Sequence, residues 1–489
     1  MGNETRASSR PALRFRFPDG EVDTQLLLGH VSDRSVRVWL RAQEPAEVRL
    51  RIGGEVCALA VATPDADHDR VAAVELDAGE PRPGTPFTVE GLGAVRHGRF
   101  APSDGQPASF GFMFGSCHQP FATDAPGGIL RRQPAGAIYP ALRDELVRRD
   151  ASFLLLLGDQ VYSDAVSAIS VREVLAADEL LRDEELVETY RHLHRGSFGE
   201  RGFRALLEAF PAYMTWDDHD IYDGAGSLLE PTAFDDRLRA AATTAYLEHQ
   251  HLRNPGASTD ATPPFDFSFR RGDTGFFVFD LRGCREHREG RIVGEAQWRR
   301  FEAFLDEAAA AGVTTLFVAT SVPVVHASPA FMAALEGVPL GIGRDIRDRW
   351  DVPAVRHERE RLLDLLFGWQ TAAPRRRIAI LSGDVHVGAA FTIAPAGRGS
   401  AGRIHQWTSS ALSTPGGLQH GLANRFVTTF VRLGEPSLRV RRHGLETRNN
   451  AGYVEVRPRE GGGHEVTFTV LAFDQRRGRL VESITRLAP

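Results

Sequence analysis

Apolar runs that stop abruptly at polar clusters set the pattern of this chain. Phe110 to Phe114 ends at Gly115-Ser116-Cys117-His118, and Phe153 to Leu157 ends at Gly158-Asp159-Gln160-Val161-Tyr162. Tyr213 to Thr215 ends at Trp216-Asp217-Asp218-His219-Asp220, and Ile378 to Leu381 ends at Ser382-Gly383-Asp384-Val385-His386. Continuous short apolar runs predict strands buried on both faces. Helical stripes precede several of them: Ile138, Leu142 and Leu146; Trp298, Phe301, Leu305 and Ala308; Leu362, Leu365, Leu366 and Trp369. Alternation of such helices and strands predicts an α/β domain. Loops at the carboxyl ends of its strands converge on one crevice, so the four polar clusters predict one shared site.

The first hundred residues read differently. Glu47 to Ile52 alternates apolar and polar positions, and Val36, Val38 and Leu40 alternate with Arg37 and Trp39. That period predicts strands with one buried face, and turn-rich stretches separate them. The expectation is a small antiparallel sandwich over residues 1–102, then a Pro/Ser/Asp/Gly/Gln linker from Ala101 to Ala108, then the α/β domain over 109–489. A charged helical insertion is expected between Asp164 and Pro211, and a less regular one between Val324 and Arg356. Near the end, Tyr453 to Val456 and Val466 to Leu471 flank a glycine-rich turn and predict a hairpin.

Composition narrows the chemistry. At 489 residues two domains are the natural expectation. The 58 basic residues nearly balance the 64 acidic ones, leaving a net charge of −6. That whole-chain balance gives no basic footprint for nucleic acid or an anionic membrane. All basic residues are arginine, which excludes Schiff-base lysine and Walker-type phosphate binding. The three cysteines, Cys57, Cys117 and Cys284, are too few and too scattered for a disulfide framework. Met1 to Arg16 lacks the apolar core of a secretory signal, and no apolar run nears the roughly 20 residues of a membrane span. A cytoplasmic protein is expected, or an extracytoplasmic one if a leader has been trimmed.

Taken singly, the clusters leave alternatives open. Gly158-Asp159 suits a helix cap as well as a cation ligand. Asp217-Asp218-His219-Asp220 suits an acidic turn, or a site in which neighbouring carboxylates favour the imidazolium and make His219 a general acid. Asp384 and His386, two apart in extended backbone, point the same way and can reach one ion, although a capping aspartate fits too. Cys117 is a soft metal ligand or an inert buried thiol. Jointly, carboxylate, imidazole and thiolate at four strand ends point to a metal site.

The four motifs together resemble the PhoD-like alkaline phosphatase family of the metallophosphatase (calcineurin-like phosphoesterase) superfamily. The resemblance extends to Thr408-Ser409-Ser410-Ala411-Leu412 and Asn449-Asn450-Ala451-Gly452-Tyr453. It implies a core of two central sheets flanked by helices, preceded by an immunoglobulin- or fibronectin III-like β-sandwich. It also implies Asp159 as a carboxylate bridging two metals, and Cys117 and Tyr162 as ligands of a ferric ion. Asp218 stands where the superfamily has an asparagine ligand, His219 where it has its catalytic histidine, and Asp384 and His386 where it has two closing ligands. Fe3+ with Ca2+ is the implied pair, with Zn2+ or Mn2+ as the alternatives. The superfamily's further histidine, expected between Thr315 and Val325, is missing; the strand ends Ala319-Thr320-Ser321, and His326 comes later.

The expected activity is hydrolysis of a small phosphate-ester substrate by metal-activated hydroxide, with His219 protonating the leaving group. With lysine absent, a phosphate site must rely on metals, arginine or backbone amides; arginine is the expected side-chain cation, and Arg282 after Phe279-Asp280-Leu281 is a candidate. Two other readings compete: a phosphodiesterase for nucleotide or lipid diesters, and a non-catalytic metal-binding interaction protein.

Overall fold

The computed structural model describes residues 16–122, 130–163, 172, 175, 181–228, 230–335, 347–397, 402–414, 418–432 and 434–488. Parts of the two expected insertions, 164–180 and 336–346, lie largely outside the described residues, as does most of the stretch Met1 to Arg16.

Two sheets face each other at the centre of a mixed α/β fold. The six-stranded sheet runs Ala212–Thr215, Ala151–Leu157, Phe110–Gly115, Asn450–Pro458, His464–Asp474, Arg479–Ala488. Its first three strands are parallel, and the last three are antiparallel. The seven-stranded sheet runs Phe267–Arg271, Thr274–Val278, Thr315–Thr320, Arg377–Ser382, Ile404–Ser409, Gly388–Pro395, Leu438–Glu446. Between the sheets lies an aromatic layer that includes Phe112, Phe153, Tyr213, Phe276, Phe317, Trp407 and Phe468. Phe112 and Phe153 stack at 4.9 Å, and Trp407 and Phe468 at 5.0 Å.

Alternate residues of the same strands point outward under helices. Met113, Leu154, Leu156 and Met214 pack with residues of the Ile138–Arg148, Asp183–Phe198, Arg201–Ala209 and Ala233–His249 helices. Leu316, Val318, Ile378 and Ile380 pack under Glu295–Ala310 and Arg356–Thr371. Both strand faces are therefore buried, which explains why Leu154 to Leu157 carries no polar residue. Among the described residues, no helix is long and apolar enough to cross a membrane.

The N-terminal residues form a three-stranded sheet (Gln25–Val31, Ser35–Arg41, Val71–Asp77) and a four-stranded one (Glu55–Ala62, Ala46–Ile52, Pro86–Gly91, Ala94–Arg99). Leu26, Leu28, Val38 and Leu40 meet Val48, Leu50 and Val89 in a cluster of their own. The expectation of one buried face holds for Ala46–Ile52, which alternates buried and exposed. It fails for the three-stranded sheet, whose second face is also covered. Leu27, Trp39 and Val71 join the helical core, and Trp39 Nε1 donates to the Glu248 carbonyl at 2.8 Å.

A buried ionic cluster ties this junction. Asp69 accepts from His249 Nε2 at 2.8 Å, Arg195 Nη1 at 2.8 Å and Arg41 Nη2 at 3.1 Å, and Arg195 Nε also reaches Glu21 at 2.6 Å. Burial alone would raise these carboxyls. Hydrogen bonds from His192 and Arg195 nevertheless hold Glu21 down at about 2, and His249, Arg41 and Arg195 hold Asp69 well below its usual range. A depressed carboxyl stabilises the fold above its unfolded value, here 3.8 for Asp69 and 4.5 for Glu21, and loses that contribution as pH falls. Asp69→Asn should destabilise the protein by about 3–5 kcal/mol, because it leaves buried cations uncompensated. Urea unfolding at pH 7 checks the magnitude, and the variant's stability should fall less steeply than the wild type's between pH 5 and 3.

Candidate metal centre

The four polar clusters meet at one place, and backbone hydrogen bonds stitch them together. Cys117 N donates to the Gly158 carbonyl at 3.3 Å, His118 N to the Asp159 carbonyl at 2.8 Å, and Gly383 N to the Ser321 carbonyl at 2.9 Å. Each loop turns sharply as its strand ends. Cys117, Asp159, Asp384 and His386 all have left-handed backbone, with φ of +64°, +56°, +65° and +55°. That conformation costs a non-glycine residue about 1–3 kcal/mol and persists only where the surroundings enforce it.

Two groups of potential ligand atoms result, each mutually within 4.8 Å: Cys117, Asp159 and His386, and Asp159, Asp218 and His219. Asp159 is common to both. Its Oδ2 accepts from Cys117 Sγ at 3.3 Å and from Tyr162 Oη at 3.5 Å. Its Oδ1 is buried with no hydrogen-bond partner. Tyr162 Oη also lies 3.3 Å from His386 Nε2, and its ring stacks on His219 with centroids 4.3 Å apart. Asp218 Oδ2 accepts from Gly224 N at 2.7 Å.

Electrostatically this is a cation's place. Burial pushes the Asp159 carboxyl, the Cys117 thiol and the Tyr162 phenol above their ordinary values, and the Coulomb repulsion between them raises Asp159 and Tyr162 further. A bound cation reverses that balance and favours carboxylate, thiolate and phenolate together. The orphaned Asp159 oxygen and the mixed O, N, S donor set therefore fit metal ions.

Several sequence-assigned residues stand elsewhere. Asp384 belongs to neither ligand group; its Oδ2 accepts from Arg349 Nη1 at 2.7 Å. Arg282 is fully buried, with Nε on Asp217 Oδ1 at 2.5 Å and Nη2 on Asp348 Oδ2 at 2.6 Å. It thus orders the carboxylates behind the site rather than facing a substrate, which corrects its reading as a phosphate contact. His118 is no base for Cys117. It stacks on Phe203 at 3.8 Å, bonds Tyr139 Oη and the Ser197 carbonyl, and burial lowers it to about 3. Where the extra histidine is missing, Ser321 Oγ donates to Asp217 Oδ1 at 2.8 Å, while His326 Nε2 bonds Asn424 Oδ1 at 2.7 Å.

Other contributors were not singled out from the sequence. Asp220 accepts from the backbone N–H of Asp159 at 2.8 Å, Val161 at 3.1 Å and Asp217 at 2.9 Å, and so locks two ligand loops together. Burial raises it to about 6 against those bonds. Ser410 Oγ lies 3.0 Å from Cys117 Sγ and accepts from His386 N at 2.9 Å. Asn449 and Asn450 hold the Ser410 segment through the carbonyls of Ala411 and Ser410. The acid-rich and Ser/Asn-rich strings were visible, but which member binds backbone depends on tertiary placement.

Solved structures of two phosphatases share this architecture. One is PhoD, with a TM-score of 0.61 at 15% identity, covering 94% of this chain and 91% of that one. The other is the purple acid phosphatase PPD1 from yellow lupin (Lupinus luteus) seeds, with a TM-score of 0.56 at 12% identity, covering 96% and 74%. No curated protein matches the sequence. These two likenesses show the class of fold, a mixed α/β architecture shared with both. The family model described as PhoD-like phosphatase matches residues 116–462, so the chain belongs to that family and hydrolyses phosphoric esters.

Gly158 is a tight point of the site. At φ +93° it sits in glycine territory, and an added Cβ would stand 2.4 Å from Asp217 Cβ. Gly158→Ala should cost about 3 kcal/mol, read by denaturant unfolding, and should lower the metal content of the purified protein.

Proposed function

We propose that the residues around Asp159 would hold two metal ions and that the chain hydrolyses phosphate esters at this site. The observation that carries this is Asp159 itself, common to both ligand groups and holding a buried oxygen without a partner. Cys117, Tyr162 and His386 would hold one ion, and thiolate and phenolate together favour Fe3+ there. Asp218 lies on the other side, with Asp384 available if Arg349 releases it; an oxygen-rich set suits Ca2+, and Zn2+ or Mn2+ are the alternatives. When bound, the ions supply charge that draws in phosphate oxygens and make an attacking water more acidic.

The chain's own residues do the rest. His219, close to both Asp159 and Asp218, donates the proton to the leaving oxygen. The Tyr162 ring stacked beneath it fixes its plane. Arg349, only partly buried at Asp384, is the arginine we assign to the substrate's phosphate oxygens. In the same reading, residues 1–102 are an immunoglobulin- or fibronectin III-like module and 109–489 the catalytic domain. The separate apolar cluster between the two N-terminal sheets supports that division.

Elemental analysis with a visible spectrum tests the metal assignment. Iron with a tyrosinate-to-iron charge-transfer band that vanishes in Tyr162→Phe is expected; metal-replete protein without iron would overturn the roles of Cys117 and Tyr162. His219→Ala should retain metal and lose about 10²–10⁴-fold in kcat. Asp159→Ala should lose metal and turnover together. Arg349→Ala should raise KM for p-nitrophenyl phosphate about tenfold with metal content unchanged. Faster turnover of bis(p-nitrophenyl) phosphate than of the monoester would assign the site to diesters.

A further inference from the structure

One amide behind the crevice has its orientation dictated by its neighbours. Gln250, fully buried, follows the helix Ala233–His249, and its Nε2 lies 2.8 Å from Asp220 Oδ1 and 3.2 Å from His194 Nε2. On the other side of that ring, His194 Nδ1 lies 2.9 Å from the Tyr190 carbonyl, which only accepts, so Nδ1 carries the proton. Burial lowers His194 to about 3, so at neutral pH the ring holds one proton and Nε2 presents a lone pair. Both Gln250 N–H groups are therefore engaged, one by His194 and one by Asp220. Turning the amide over would set its oxygen against a lone pair and a carboxylate oxygen. Its Oε1 is buried without a partner, so the residue forgoes a bond on oxygen to make both on nitrogen.

Asp220 receives that bond and passes its effect to the ligand loops through their backbone. Its Oδ2 accepts from Asp159 N at 2.8 Å and Asp217 N at 2.9 Å, and its Oδ1 from Val161 N at 3.1 Å. Gln250 supplies the one side-chain donor among these four bonds. Without it, Oδ1 keeps a single backbone donor, and the carboxylate can turn about its Cβ–Cγ bond. Asp159 stands in left-handed backbone at φ +56°, a conformation that persists only while its surroundings enforce it. The preceding residue faces the other way: His249 Nε2 bonds Asp69 at 2.8 Å, and its ring stacks on His194 with centroids 5.3 Å apart. The helix end is thus anchored at the N-terminal junction just before it delivers Gln250 to the ligand loops.

We infer that Gln250 is a positioning residue for the metal-ligand loops: with its amide set by the His194 lone pair, it fixes the Asp220 carboxylate and, through it, the backbone of Asp159. Asp220 also holds the N–H of Asp217, one residue before Asp218, so both groups of potential ligand atoms hang on the same carboxylate. Gln250 acts through Asp220 and not on the reacting atoms. Asp159 is taken here as a metal ligand, as proposed above, and the assignment of Gln250 depends on it.

Gln250→Leu in the purified holoenzyme, which keeps much of the side chain's bulk and loses both donors, tests this role. Its metal should pass to a competing chelator about tenfold more readily than the wild type's. For the faster of the two p-nitrophenyl substrates, kcat should fall about tenfold at unchanged KM. Asp220→Asn should lower metal retention and kcat as well, and Gln250→Leu should add nothing further in that background. A packing defect unrelated to Asp220 would instead add to it. His194→Phe keeps a ring and removes the acceptor; a loss of about threefold in kcat is expected, and this variant carries the test if Gln250→Leu folds poorly. Wild-type metal retention and kcat in folded Gln250→Leu, additive losses in the double variant, or a raised KM at unchanged kcat would overturn the role. So would wild-type kcat in His194→Phe. Asp159→Ala that keeps its metal would sink the metal reading instead, a separate failure, since Gln250→Leu leaves every proposed ligand in place.

Discussion

Arg282 lies fully buried among Asp217, Asp218 and Asp348, and the crevice is organised around that cation. Acids this close would repel one another and stay protonated without compensation. Arg282 draws Asp348 well below its usual range, although burial still pushes Asp217 up to about 8. Asp220 is met instead by backbone amides and Gln250, and Asp384 by Arg349. Each carboxylate behind the site thus has an internal partner. Asp159 and Asp217 each keep one buried oxygen without a partner, and of the two only Asp159 belongs to both groups of potential ligand atoms.

Precision at that point comes from rigidity around it. Cys117, Asp159, Asp384 and His386 adopt left-handed backbone on loops that hydrogen-bond one another. The strands that launch them are clamped between the aromatic layer and the outer helices. A site built on strand ends in this way holds its donors in place before any ion arrives, which lowers the cost of binding one.

Strand ends, helical stripes and the four motifs were legible in the sequence because each follows from local periodicity. Leu154 to Leu157 could be read as doubly buried, and Asp159, Cys117 and His386 could be placed in one crevice. The partners were not legible. Whether Arg282 faces substrate or Asp348 depends on contacts 66 residues apart, and no local pattern encodes that. The same holds for Trp39, whose alternation with Val38 and Leu40 suggested solvent but whose indole is buried against the Ala233–His249 helix.

The three-stranded sheet near the N-terminus has its own consequence for dividing the chain. It serves as a wall shared by two rooms: Leu26 and Leu28 look one way, Leu27 and Trp39 the other. Cutting the chain at the 101–108 connection would expose indole and leucine on the remaining half and strip His249 and Arg195 of their common anion. The N-terminal strands are thus a topological module without being a detachable one. Any truncation at that connection has to replace the wall as well as the strands.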